Sequence, residues 1–153
     1  MLSVWTMLKL VGLIALNTFT FSALGYLLAL FIRSDSAWSG MLTIIGTLVG
    51  FVGGIYIPLG TLNSHVRDVL ACLPVLHGAS MMRKVCTNDA VLETFAGLPD
   101  AAGEIFREEL GVSISLGGTD ISNGISVLVL LGYAVLAILT AALCNRKRRM
   151  GDR

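Results

Sequence analysis

The stretch ISNGISVLVLLGYAVLAILTAALCN, residues 121–145, runs for 25 residues without Asp, Glu, Lys or Arg. Arg146, Lys147, Arg148 and Arg149 follow it directly. About 20 helical residues cross a bilayer core of about 30 Å. The stretch is long enough, and the four cations set its inner end, because Lys and Arg accumulate on the cytoplasmic flank of a span. In hydrocarbon the backbone must bond to itself, so the stretch reads as a helix despite its Val and Ile content.

Two more stretches upstream have the same character. Residues 10–32 carry no charge over 23 positions, and residues 36–66 carry none over 31, with His65 near the end. The spans are placed at about 10–32, 38–59 and 124–144. With 55% hydrophobic and 14% charged residues, the chain has too few charges to coat a soluble globule. Soluble domains carry about 25% charged residues. A disordered chain is excluded too, because it needs low hydrophobicity and high charge. The fold class is therefore all-α: a polytopic membrane protein with three transmembrane helices, forming a single membrane domain over 1–153.

With 145–153 as a basic cytoplasmic tail, three spans put the N-terminus outside. The turn around Arg33 to Ala37 then lies inside, and the segment of about 60–120 lies outside. That segment carries four cations and eight anions. The expected location is the plasma membrane, with Trp5 and Trp38 suited to its interfacial belts or simply buried. A cleaved signal peptide fits poorly, because no basic residue precedes Lys9 and the apolar run exceeds the usual length of about 7–15.

The extracytoplasmic segment reads as short helices. Asn63 or Ser64 caps one carrying Val66, Val69, Leu70 and Leu73, and Pro74 stops or kinks it. A second fits 77–85. Thr87, Asn88 and Asp89 cap a third over 90–96. Pro99-Asp100 opens a fourth to about Leu110, ended by Gly111, and Gly117-Gly118 turns the chain before the last span. These helices either dip into the outer interface or form a cap packed on the spans.

Within the spans, Gly46, Gly50 and Gly54 repeat at small-xxx-small spacing, with Gly53 beside them. Such a face lets a second helix approach closely, either inside the protein or across a dimer. Asn17, Thr18, Thr20 and Ser22 form a polar cluster that either lines a substrate path or bonds to a neighbouring helix.

Site chemistry is sparse. The chain has no P-loop, no H-E-x-x-H and no C-x-x-C, so no catalytic, cofactor or metal residues are expected. His65 with Ser64, and His77 with Ser80, are sequence neighbours, whereas catalytic groups are recognised by geometry. Cys72 and Cys86 share the outer segment and could pair in an oxidising compartment. Cys144 sits at the inner edge, as a palmitoylation site or a small apolar residue. The basic tail is explained by topology and by lipid headgroups, without a nucleic-acid partner.

The run Gly53-Gly54-Ile55-Tyr56-Ile57-Pro58-Leu59-Gly60-Thr61-Leu62 ends the second span. An amphipathic helix follows, and then Leu73-Pro74-Val75-Leu76-His77-Gly78-Ala79-Ser80-Met81-Met82-Arg83. This order resembles the permease subunits of ABC-2-type ABC transporters, in which the fifth span ends in Gly-x-x-x-Pro. Short outer helices with a Pro and an Arg nine positions on come next, then a sixth span and a basic tail. Gly54 with Pro58, and Pro74 with Arg83, match the two patterns, and residues 22–33 are similar to the end of the fourth span. Such permeases have six spans, so the chain resembles the C-terminal half of one.

The resemblance implies an ATP-driven exporter in which this chain forms part of the substrate path. ATP hydrolysis belongs to a separate ATP-binding subunit. The implied partners are that subunit, a second permease copy or the missing N-terminal half, and the lipid bilayer. Gly54, Pro58, Pro74 and Arg83 would lie at the outer gate. The rival reading is a small non-transporting membrane anchor or accessory subunit with an extracytoplasmic cap.

Overall fold

The structure is a computed structural model, described over residues 4–95, 100–116 and 119–151. Six α-helices account for most of it: α1 (Val4–Ala29), α2 (Asp35–Val52), α3 (Ser64–Ala71), α4 (Pro74–Thr94), α5 (Asp100–Glu109) and α6 (Asn123–Gly151). A 3-10 turn (Leu59–Thr61) precedes α3, and two short antiparallel strands, β1 (Ser115–Leu116) and β2 (Thr119–Asp120), precede α6. Helices α1, α2 and the 24 residues Asn123–Arg146 of α6 are each long and apolar enough to span a membrane.

The element boundaries follow local chemistry. The Ser34 hydroxyl accepts the Ala37 N–H at 3.2 Å and starts α2, with Asp35 in the first turn, where a carboxylate offsets the positive end of the helix dipole. The Asn63 side chain accepts the His65 N–H and starts α3. Pro74 occupies the first turn of α4, where its missing N–H costs nothing. It thus both ends the preceding helix and begins the next, and the two meet at 93°. Gly111 follows α5 at φ +66°, the left-handed stop expected of it.

Several expectations are corrected. The first helix starts at Val4 and ends at Ala29, so the span at 10–32 is shifted toward the N-terminus. The second ends at Val52, not 59. The helices expected at 77–85 and 90–96 are one helix, α4. Thr87 does not cap a new helix; its hydroxyl donates to the Arg83 carbonyl at 2.9 Å, one turn back. A side chain satisfied in this way stays within the helix. The β1–β2 pair was not anticipated. Gly117-Gly118, Pro99 and the end of the expected third helix at Ala96 lie outside the described residues.

Helices α1 and α6 pack along their length. Thr20 meets Leu130, and Tyr26 meets Asn145. Both pairs advance in the same direction, so the two helices are parallel. The α6 side of the seam is Leu130, Ala134, Ala137 and Ala141, all buried; the alanines let the backbones approach closely. Helix α4 packs against both α1 and α6. A separate small core of Leu59, Ala71, Leu76 and Ile114 ties the 3-10 turn, α3, α4 and β1 together.

Candidate functional site

The densest polar chemistry lies where α3 turns into α4 beside α6. His77 is 1% exposed and bonded at both ring nitrogens. Nε2 lies 2.8 Å from the Ala71 carbonyl, which can only accept, so Nε2 carries the proton. Nδ1 then accepts from the Ser126 hydroxyl at 3.1 Å. This is the neutral imidazole, with one donor and one acceptor. Two turns lower on α6, the Tyr133 hydroxyl donates to the Cys72 carbonyl at 2.9 Å. These bonds take up two carbonyls that the end of α3 leaves without helical partners.

The contacts also fix the direction of α4. Lys84 donates to Asn123, His77 meets Ser126, and Cys72 meets Tyr133. Helix α4 is therefore antiparallel to α6, and the α3–α4 elbow is the point farthest below the α6 N-terminus. Ser126 is three residues into α6 and Tyr133 ten, so the contacts around the elbow fall roughly 5–15 Å below that end at 1.5 Å per residue.

The polar residues of α1 separate into two sets. Thr20 is fully buried, and its hydroxyl points at the Leu16 carbonyl (2.9 Å) and the Leu130 carbonyl of α6 (3.3 Å). The Asn17 amide donates to the Leu13 carbonyl at 2.9 Å, and its oxygen fills the space that Gly78 of α4 leaves by having no side chain. Thr18 and Ser22 are exposed on another side of α1. The cluster is thus divided: Asn17 and Thr20 make contacts between helices, and Thr18 and Ser22 do not join them.

The glycine series also divides. Gly46 and Gly50 lie on α2, but Gly54 lies past its end, at φ +67°. The three do not form one helix face. Gly50 is covered by the Tyr56 ring, which folds back on it, whereas a side chain at Gly46 would meet nothing within 4 Å. The left-handed conformation at Gly54 is one that residues other than glycine adopt only at a cost.

Gly54 instead joins Arg83. The Arg83 guanidinium donates from Nη2 to the Gly53 carbonyl at 2.6 Å and to the Gly54 carbonyl at 3.0 Å. A cation at the C-terminus of α2 is favoured by the helix dipole, and charge-assisted bonds contribute about 1.5–3 kcal/mol each. Pro58 caps the 3-10 turn at Leu59 and Pro74 starts α4. Of the four resemblance positions, Gly54 and Arg83 therefore touch, while Pro58 and Pro74 shape the chain between and beside them.

Cys72 and Cys86 are both free and exposed. The 12 residues from Pro74 to Cys86 alone span about 18 Å of helix, and a disulfide needs Cα atoms within about 7 Å. A bond between them within one chain is excluded by this geometry. Cys144, half-buried near the other end of α6, is also free. Among the described residues no three His, Cys, Asp or Glu side chains come together.

Ser126, Tyr133 and the alanine stripe of α6 are the residues that sequence reasoning missed. Ala134, Ala137 and Ala141 do repeat at helical spacing, and that signal was available. The His77–Ser126 pair is 49 residues apart and left no local trace. No protein-family model matches the chain, and no curated protein and no solved structure matches it either.

Proposed function

We propose that the chain is a membrane-spanning permease subunit, or the C-terminal half of one, of an ATP-driven exporter of the ABC-2 type. The observation that carries this reading is the contact between Gly54 and Arg83. They are 29 residues apart, each belongs to a different one of the two patterns that prompted the resemblance, and they bond directly. The tie joins the end of the second span to the middle of α4, beyond the helical elbow, where an outer gate would need a closure. Further support comes from the parallel course of α1 and α6, as three spans require of the first and third. The basic run at the C-terminal end of α6 faces the cytoplasm on this reading, and the elbow lies in the outer leaflet. ATP would be hydrolysed by a separate subunit bound near the turn at Arg33 and Asp35, with a second permease copy or an N-terminal half completing the path.

Copurification tests the proposal. The full chain is expected to bring down an ATPase carrying a P-loop, and removal of the inner turn, residues 33–37, is expected to abolish that. A chain that inserts stably, stays monomeric and binds no ATPase is an anchor or accessory protein, and the transporter reading then fails. A membrane-impermeant maleimide added from outside is expected to label Cys86 and spare Cys144; the reverse pattern overturns the orientation.

A further inference from the structure

A groove of about 440 Å³ lies beside the elbow, open on one side. Its floor is a stripe of α6: Ile125, Val129, Gly132, Tyr133 and Leu136. The end of α3 at Cys72 and the ring of His77 overhang it. Pockets for bound small molecules span about 300–1,000 Å³, so the volume suits a specific ligand. The lining decides which kind.

None of the lining residues is charged. The polar groups at its edge are already committed to one another: His77 to Ala71 and Ser126, and Tyr133 to the Cys72 carbonyl. The Cys72 thiol is turned to the Asp68 carbonyl, so no side-chain donor in the lining is left for a polar ligand, and burying an acceptor there unpaired would cost several kcal/mol. The occupant that complements this surface is hydrocarbon.

Length and position narrow it further. From Ile125 to Leu136 the stripe extends about 16 Å at 1.5 Å per residue, and one leaflet of the hydrocarbon core is about 15 Å deep. The stripe begins two residues below the α6 N-terminus, so it starts at the edge of the span and runs inward. Gly132 widens it midway, because nothing lies within 4 Å of where its side chain would be.

We propose that this groove is a binding site for one acyl chain of a phospholipid in the leaflet next to the α6 N-terminus. The site rests on the membrane placement of the proposed function and not on transport or an ATPase. The chain lies along α6 under the elbow and fills the space that the 93° bend between α3 and α4 leaves open.

The test is lipid retention by the full chain, read by native mass spectrometry after extraction from phosphatidylcholine vesicles into mild detergent. The wild-type chain is expected to retain one phospholipid. Gly132→Trp fills the groove and is expected to reduce the retained fraction at least fivefold. Gly46→Trp, at another open glycine, on α2, is expected to leave it unchanged. Gly132→Leu, a smaller filler, is expected to fall between wild type and Gly132→Trp, and helical circular dichroism checks that each variant is folded. Dioleoyl lipid is expected to be retained over dioctanoyl lipid, with phosphatidylcholine and phosphatidylglycerol equal. The proposal is overturned if no lipid is retained, if Gly132→Leu and Gly132→Trp retain as much as wild type, or if the headgroup rather than the chain length sets retention. Loss of ATPase binding elsewhere would leave this readout untouched, so the two proposals fail separately.

Discussion

Helices α2 and α6 are both apolar enough to cross a membrane, yet they are held in opposite ways. Helix α6 is fixed along its length: by Lys84 and His77 of α4, by Tyr133 on the elbow, by Thr20 of α1 and by Tyr26 at Asn145. Helix α2 packs on α4 at its C-terminal end, where Arg83 holds Gly53 and Gly54, and is otherwise exposed on most sides. Residues Trp38, Met41, Ile45, Val49 and Val52 form its half-buried stripe. Apolarity alone does not free a helix: the more apolar α6 (mean hydropathy 2.6, against 1.3 for α2) is the clamped one, and α2 is the tethered one. What differs is the number of side-chain bonds and small residues facing a neighbour.

The largest expected effect comes from breaking the clamped side. Gly78 lies where α4 meets Asn17, and a side chain there would strike the Asn17 amide. Gly78→Leu is expected to cost about 3 kcal/mol, at the upper end of the usual overpacking penalty of 1–3 kcal/mol. Thermal melting in detergent checks it. A change below about 0.5 kcal/mol would mean that α4 is not fixed against α1.

Loosening the tethered side is expected to act locally. Arg83→Met keeps the stem and removes both bonds to the end of α2. Both bonds come from the one Nη2 and do not add, so the expected loss is about 2 kcal/mol, confined to residues near Gly53 and Tyr56. Hydrogen exchange there should quicken by more than tenfold while the α1–α6 seam stays protected. Equal quickening in both regions would show that α2 is not an independent arm.

The spans were legible because hydrophobic length is a local property. Three charge-free stretches needed no partner to be recognised, and neither did the break at Pro74 or the helix end at Gly111. The site was legible only where chemistry is local. Helical spacing puts Thr18 and Ser22 on one face with Gly25, and Asn17 and Thr20 next to it, but nothing local reveals which side of α1 will meet α6. Rotation by 100° per residue separates them, and only Thr20 reaches Leu130. Gly54 read as helical because spacing alone cannot say that α2 stops at Val52. Arg83 supplies the reason: the carbonyls it takes are those a terminating helix leaves free. Thr87-Asn88-Asp89 read as a cap because those residue types favour caps, yet the Thr87 hydroxyl is satisfied one turn back.

The seam itself gives a finer test. Thr20→Val keeps the shape and removes the hydroxyl that points at Leu130. Interhelical bonds in membranes average about 0.6 kcal/mol, and the same hydroxyl also bonds to Leu16, so the expected loss is about 0.5–1 kcal/mol. Double-mutant analysis with a small-to-large change at Ala134, also on the seam, should show coupling between the two.

The smallest expected effect is at Gly46. A side chain there meets nothing within 4 Å, and a leucine is a better helix former than glycine by up to about 1 kcal/mol. Gly46→Leu is therefore expected to change the stability of a single chain by no more than about 0.5 kcal/mol, or to raise it slightly. The result separates two meanings of an exposed α2. If the helix faces lipid, leucine is as much at home there as glycine, and both melting and association stay as they were. If a second copy packs closely on this face, the added side chain keeps the backbones apart, and the oligomer falls apart while the monomer still melts as before. Measuring association and melting on the same variant therefore decides whether the tethered helix is free or awaits a partner.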